Sequence, residues 1–198
     1  MRFTIKTLNL DETLKQFGRQ KKQAEKALIA TGRDMKSRVP GWVADEVRNA
    51  YNIQKKEITP KKGGKPKKMA GKIYVGGTTV SSVTIAYEGR TLTPTHFGMR
   101  PKALTGGTGR RKKRKPITAE IKKGQRKSLG PTVFLGSNRG GGYIPFKRTG
   151  AKRYPIESVK TLSLPQMIDN PGVRENINSK INTELGKRLE HNIRRFIK

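Results

Sequence analysis

The spacing of apolar residues changes along this chain, and each change marks a different kind of element. Over residues 2–8, Phe3, Ile5 and Leu8 alternate with polar neighbours, the pattern of a short strand. Asn9 followed three residues later by Glu12 reads as an N-cap with a reaching carboxylate, so a helix is predicted to begin there. Leu14, Phe17, Ala24, Leu28 and Met35 keep the three-and-four spacing of one helical face, with Lys21 and Thr31 where the stripe lapses. The helix should reach about Arg38. Pro40-Gly41 is then expected to break or kink it, with Trp42, Val43, Val47 and Tyr51 on the buried side of a second helical piece. The plain reading of these faces is core.

From Thr59 to Gly71 the chain is Lys, Gly and Pro with almost nothing apolar, which predicts a mobile loop or arm. Beyond it, Lys72-Ile73-Tyr74-Val75 and Val83-Thr84-Ile85-Ala86-Tyr87 carry the β-branched and aromatic residues of strands, punctuated by Gly76-Gly77 and Ser81-Ser82. Further strands are expected over Leu92–Phe97, Ile117–Lys122, Thr132–Leu135 and Tyr143–Phe146. The connections are too short for helical crossovers, so the sheet should be mostly antiparallel. Pro145, Pro155 and Pro165 cannot donate to a ladder, which predicts a connector along a sheet edge or across the surface. Its Phe146, Tyr154, Ile156, Val159 and Leu162 are available to anchor to the core or to a neighbouring subunit. Asn170-Pro171 starts a last helix in which Val173, Ile177, Ile181, Leu185, Leu189 and Ile193 recur every four residues. That stripe drifts around the helix, so it should touch two neighbours, the first helix and either the sheet or an adjacent subunit.

The pattern therefore predicts an α+β fold in which a long N-terminal helix and a long C-terminal helix pack on a mostly antiparallel β-sheet. A length of 198 residues predicts one domain and one core, spanning 1–198 with flexible basic loops near 59–71 and 105–116. Charge changes this picture more than any other property. The chain has 45 Lys and Arg against 14 Asp and Glu, a formal charge of +31, while hydrophobic residues make up only 32%. Such an excess points to a polyanion or to an assembly that neutralises it, and so small an apolar fraction predicts segments that order against partners. The cations cluster in Lys61, Lys62, Lys65, Lys67 and Lys68, and in the unbroken run Arg110, Arg111, Lys112, Lys113, Arg114 and Lys115. Both clusters are candidates for phosphate contact without sequence readout, the alternative being a solvated loop or an acidic protein partner.

The same sequence offers little chemistry. With no cysteine, disulfides and thiolate metal sites are excluded. His96 and His191 lie far apart with no metal-ligand spacing, and both read as structural. Gly106-Gly107-Thr108-Gly109 lacks the order of a phosphate-binding loop. The carboxylates are scattered, so no catalytic, cofactor or metal site is predicted. No stretch is long and apolar enough for a membrane span and no leader pattern opens the chain, so use in a cytoplasm, or in a particle assembled there, is expected.

From Val133-Phe134 onward the chain resembles a known family. The segments Ile144-Pro145-Phe146-Lys147-Arg148, Arg153-Tyr154-Pro155-Ile156-Glu157 and Leu164-Pro165-Gln166-Met167 are similar to the C-terminal signature of the minor tail protein Z family of tailed bacteriophages. Tyr51-Asn52-Ile53 and Thr95-His96-Phe97-Gly98-Met99-Arg100-Pro101 also look like its pattern, while the basic run before Ile117 departs from it. The resemblance implies a structural virion protein: a tail-completion subunit in a ring, expected to be a hexamer, at the head-proximal end of the tail. Implied partners are tail-tube and tail-terminator proteins, head connector proteins and packaged DNA. Phe146, Tyr154, Ile156, Leu164 and Met167 form the candidate assembly segment. The rival reading is a nucleic-acid-binding protein of the host, ribosomal or chromosome-associated, for which the charge and the Lys/Gly/Pro arms would be ordinary.

Overall fold

The computed structural model describes residues 1–6, 10–59, 72–78, 82–104, 116–138 and 140–197. Leu8 and the proposed N-cap Asn9 lie outside them. A first strand, β1 (Arg2–Lys6), is followed by a short helix, α1 (Leu10–Gln16), which stops well before Arg38. At Gly18 φ is +49°, a left-handed conformation that a side chain disfavours, and a 3-10 turn over Gly18–Gln20 separates α1 from the next helix.

That helix, α2 (Lys21–Ala50), runs for 30 residues straight through Pro40 and Gly41, where a break or kink was expected. The reason lies on its buried side. A proline inside a helix costs about 3 kcal/mol. Val39, Val43 and Val47 are all 0% exposed, and burying each contributes roughly 1.5 kcal/mol or more, so the stripe outweighs the lost backbone bond. The stripe itself is Ala27, Thr31, Met35, Val39, Val43 and Val47, with Phe17 and Leu28 only half-buried.

Two short elements and two strands follow. Helix α3 (Lys55–Ile58) sinks Ile58 into the core. Strands β2 (Lys72–Thr78) and β3 (Ser82–Glu88) pair antiparallel, and β1 joins the other side of β3, giving the order β1-β3-β2. Gly76-Gly77 does not end β2 as the sequence suggests. It lies inside the strand, where the register slips from Val75↔Ile85 to Thr78↔Val83 and one extra residue is absorbed as a bulge. Nor is Leu92–Phe97 a strand. Pro94 opens a 3-10 turn over Pro94–His96, and only single bridges, such as Thr91↔Ser163, link this region to extended chain.

The remaining strands form two further antiparallel sheets. β4 (Thr118–Glu120) pairs β5 (Arg126–Ser128), and β6 (Val133–Ser137), β7 (Tyr143–Arg148) and β8 (Ile156–Ser158) lie in that order. Pro145 thus stands in a central strand, not on the expected edge. Its carbonyl accepts from Val159 N–H at 2.8 Å, so its nitrogen also faces the β8 side, just past the end of that short strand. The missing donor falls where the ladder has already ended. Pro165 departs from the connector too, since it lies in the first turn of α4 (Leu164–Ile168). There Ser163 accepts from Gln166 N–H and its own N–H donates to Gln166 Oε1 at 2.8 Å, a capping box.

The last helix, α5 (Pro171–Phe196), starts at Asn170-Pro171 as the sequence indicates, but Asn170 makes no side-chain cap. Burial pushes up the ionisation of the Tyr51 hydroxyl, and the Asn170 side chain counters that rise in part. Val173, Ile177 and Ile181 are buried, whereas Leu189 and Ile193 are half-buried. A four-residue repeat advances about 40° per step on a helix of 3.6 residues per turn, so burial passes from Ile181 through Leu185 and Arg188 to Asn192. Asn192 is 2% exposed, and it donates to Thr31 Oγ1 at 3.1 Å and Asp34 Oδ2 at 3.3 Å. Thr31 in turn donates to the Ala27 carbonyl at 2.8 Å. The lapse at Thr31 is therefore a polar joint between α2 and α5.

The main core gathers α2, α4, the first half of α5, Phe3 of β1 and Val83, Ile85 and Tyr87 of β3. Phe3 meets Tyr87 edge-on, with ring centroids 6.2 Å apart. Beside this core, a small satellite cluster of Met99, Ile117, Ala119 and Leu135 lies under the later sheets, where the length alone predicted a single core. The joint at Asn192 gives a direct test. Asn192→Ala should lower stability by about 1–3 kcal/mol, because a buried hydrogen bond to Thr31 and a part-buried one to the Asp34 carboxylate are both lost. Urea unfolding checks this, and Thr31→Val in a double-mutant cycle should show coupling of about 0.5–1.5 kcal/mol.

Candidate assembly surface

The third sheet presents two unlike faces. Directly paired residues on antiparallel strands share a face, so Val133, Leu135 and Pro145 lie on one side with Lys147 and Glu157, and Leu135 is buried in the satellite cluster with Val133 packed against it. The other side carries Phe134, Ile144, Phe146 and Ile156. All are half-buried, and none belongs to either core cluster.

The geometry of that second face is specific. Phe134 and Phe146 are register partners and stack, with centroids 6.2 Å apart and planes 28° apart. The Arg148 guanidinium lies 5.7 Å from the Phe134 ring centre, a cation–π contact. Gly136 makes room for the Phe146 ring, since a Cβ there would stand 2.8 Å from Phe146 Cδ2. At the hairpin end, Asn138 Oδ1 accepts from the N–H groups of Gly140 and Gly142, each at 3.0 Å, fixing the β6–β7 turn. Tyr154 projects from the loop before β8, 64% exposed, with Arg153 placed 5.7 Å from its ring centre. Glu157, the acid of this sheet, faces the opposite side, 4.0 Å from Lys147.

Three of the five residues expected to serve assembly are therefore brought together or near one another: Phe146, Ile156 and the exposed Tyr154. Leu164 and Met167 are not. Both are 0% exposed in the main core, where they dock α4. Sequence reading missed Phe134 and Ile144, although their alternation with Val133, Leu135 and Pro145 was there to be used. Lys61, Lys62, Lys65, Lys67, Lys68 and Arg110 to Lys115 lie outside the described residues. A further basic feature went unnoticed: the β4–β5 hairpin exposes Lys122, Lys123 and Lys127, while its Arg126 is engaged by the Gly98 carbonyl at 3.0 Å and by Glu120 at 3.3 Å. The spacing Lys122-Lys123 then Arg126-Lys127 was the available signal.

The two histidines stand in different settings. His96 Nδ1 contacts Glu57 Oε2, tying the 3-10 turn to α3, and His191 is exposed near the end of α5. Among the described residues no cluster of three or more His, Cys, Asp or Glu could hold a metal ion, and no helix is long and apolar enough to cross a membrane.

A subunit with a small core, a half-exposed aromatic sheet face and a large cationic excess has the character of an assembly component. Residues 10–198 match the family described as prophage minor tail protein Z (GPZ), and the chain belongs to that family. It is thus a structural protein of a phage tail. No curated protein and no solved structure matches it. The segments that carry the family likeness include the seams of the fold. Asn52 N–H donates to the Ile121 carbonyl at 3.0 Å, and Arg100 and Thr118 exchange two 2.8 Å bonds, so both early segments clamp the β4–β5 hairpin.

Gly136→Ala tests the stacked face. The added methyl must displace the Phe146 ring, which should cost about 1–3 kcal/mol. Hydrogen exchange should report it as faster exchange over β6 and β7, with α2 and α5 unchanged.

Proposed function

We propose that this tail protein is a tail-completion subunit. It closes into a ring, expected to be hexameric, at the head-proximal end of the tail and helps join tail to head around the DNA path. Its role is architectural and not catalytic, and its assembly takes place in the cytoplasm of the bacterial host before the virion is complete. Tail-tube and tail-terminator proteins are its neighbours on one side and head connector proteins on the other. The observation that carries the reading is the Phe134, Ile144, Phe146 and Ile156 face, which the subunit's own cores leave unused. In a closed ring each copy offers two different surfaces, so this face of one copy would meet another surface of the next.

The charge supports the location. Arg110 to Lys115, Lys61 to Lys68 and the hairpin lysines Lys122, Lys123 and Lys127 are proposed to contact packaged DNA through its phosphates. The family match favours this reading over a ribosomal or chromosome-associated protein of the host.

Mass measurement in solution separates the two. A discrete closed oligomer that persists in about 0.5 M salt, where phosphate contacts weaken by orders of magnitude, is the expected result. A monomer that shifts only when DNA or RNA is added would overturn it. Ile156→Glu should shift the population toward monomer with little change in melting temperature, because that residue is outside both cores.

The basic run has its own test. Replacing Arg110 to Lys115 with neutral residues should flatten the dependence of log affinity for DNA on log salt by up to about 5, at roughly 0.9 per phosphate contact. An unchanged slope and unchanged infectivity would leave the run as a solvated insertion.

A further inference from the structure

β1 is an edge strand: among the described residues its one strand neighbour is β3. The register fixes which backbone groups it leaves open. Tyr87 N–H donates to the Met1 carbonyl at 2.7 Å, and the Met1 ammonium donates to the Tyr87 carbonyl at 3.0 Å. In an antiparallel ladder such bonded pairs alternate with unbonded ones. Phe3↔Ile85 is therefore a bonded pair, whereas Arg2↔Ala86 and Thr4↔Thr84 are not. The N–H and C=O groups of Arg2 and Thr4 point away from β3.

On that open side lies a groove of about 640 Å³ between β1 and α5. Ile5, Ile181 and Leu185 give it an apolar floor. Asn178 and Asn182 line the α5 wall, with amides able to donate and accept. Arg2, Lys6 and Arg174 add positive charge, and no carboxylate is among the lining residues. Arg174 is held by Asp169 at 3.2 Å, while Arg2 and Lys6 are exposed.

We propose that this groove is a strand-addition site for an extended, carboxylate-bearing segment of another protein. Main-chain bonds to Arg2 and Thr4 would seat it, alternate apolar side chains would meet the floor, and the acids between them would face Arg2 and Lys6 on the opposite side of the strand. Charge selects the occupant. A second copy of this chain brings a net +31, and its two long segments outside the described residues, 60–71 and 105–115, hold cations and no carboxylate. The reading is separate from ring closure, which uses the third sheet.

The probe is a blocked peptide alternating valine with glutamate, compared with its valine–lysine counterpart at physiological salt. The glutamate peptide should bind at least tenfold more tightly and slow amide exchange within residues 2–6. Thr4→Pro removes a donor that faces the groove and not β3, so it should weaken binding at least tenfold while leaving the circular dichroism and the oligomer mass unchanged. If that variant fails to fold, Lys6→Glu serves instead: it should weaken the glutamate peptide and strengthen the lysine one. No binding, equal binding of both peptides, or protection mapping away from β1 overturns the proposal.

Discussion

The structure depends on burying one stripe of α2. Met35, Val39, Val43, Ala44 and Val47 are each 0% exposed, and α3, α4, the first half of α5, β1 and β3 place apolar residues against the same core. With only 32% hydrophobic residues the chain has few to spend elsewhere. That scarcity explains why the helix continues through Pro40. Ending it there would strand Val43, Ala44 and Val47 on an uncertain second piece, a larger loss than one backbone hydrogen bond. It also explains the polar joint at Thr31 and Asn192, where a hydrogen-bonded pair holds α5 to α2 in place of apolar contact.

Much of this was legible from periodicity alone. The strand at Phe3, part of the α2 stripe (Ala24, Met35, Val43 and Val47, but not Ala27 or Val39), strands β2 and β3 and the start of α5 at Asn170-Pro171 follow from spacing and capping residues. What escaped was set by distant partners. Gly18 rather than Pro40 interrupts the first helical run, because the proline is overruled by a valine stripe whose burial depends on residues far along the chain. Pro145 looks like an edge residue until the shortness of β8 leaves its nitrogen beyond the ladder. Ser163-Leu164-Pro165-Gln166 carried a readable capping box, yet its proline suggested extended chain.

The residues proposed for assembly show the same division. Phe146 and Ile156 were identifiable as apolar residues in a connector, but which face each would occupy depends on strand register. Leu164 and Met167, two and five residues beyond Leu162, differ only in that the capping box turns them inward. Apolar character in a surface connector is thus weak information about assembly. A residue's relation to the chain's own core is the stronger guide.

The carboxylates bear on the unbalanced charge. Asp45, Glu46, Glu120, Glu157, Asp169 and Glu190 each lie within 4.0 Å of a cation of this same chain. Most of these pairs are exposed and contribute no more than about 1 kcal/mol each, so they hold side chains in place without stabilising the fold greatly. They do occupy the acids. With 14 carboxylates against 45 cations, pairing within the chain or between identical copies leaves the excess standing. Closely packed copies would then repel over about 8 Å at physiological salt. Beyond dissolved counterions, neutralisation would come from molecules of a different kind, for which the cationic groove beside β1 and the lysines of the β4–β5 hairpin are the proposed places.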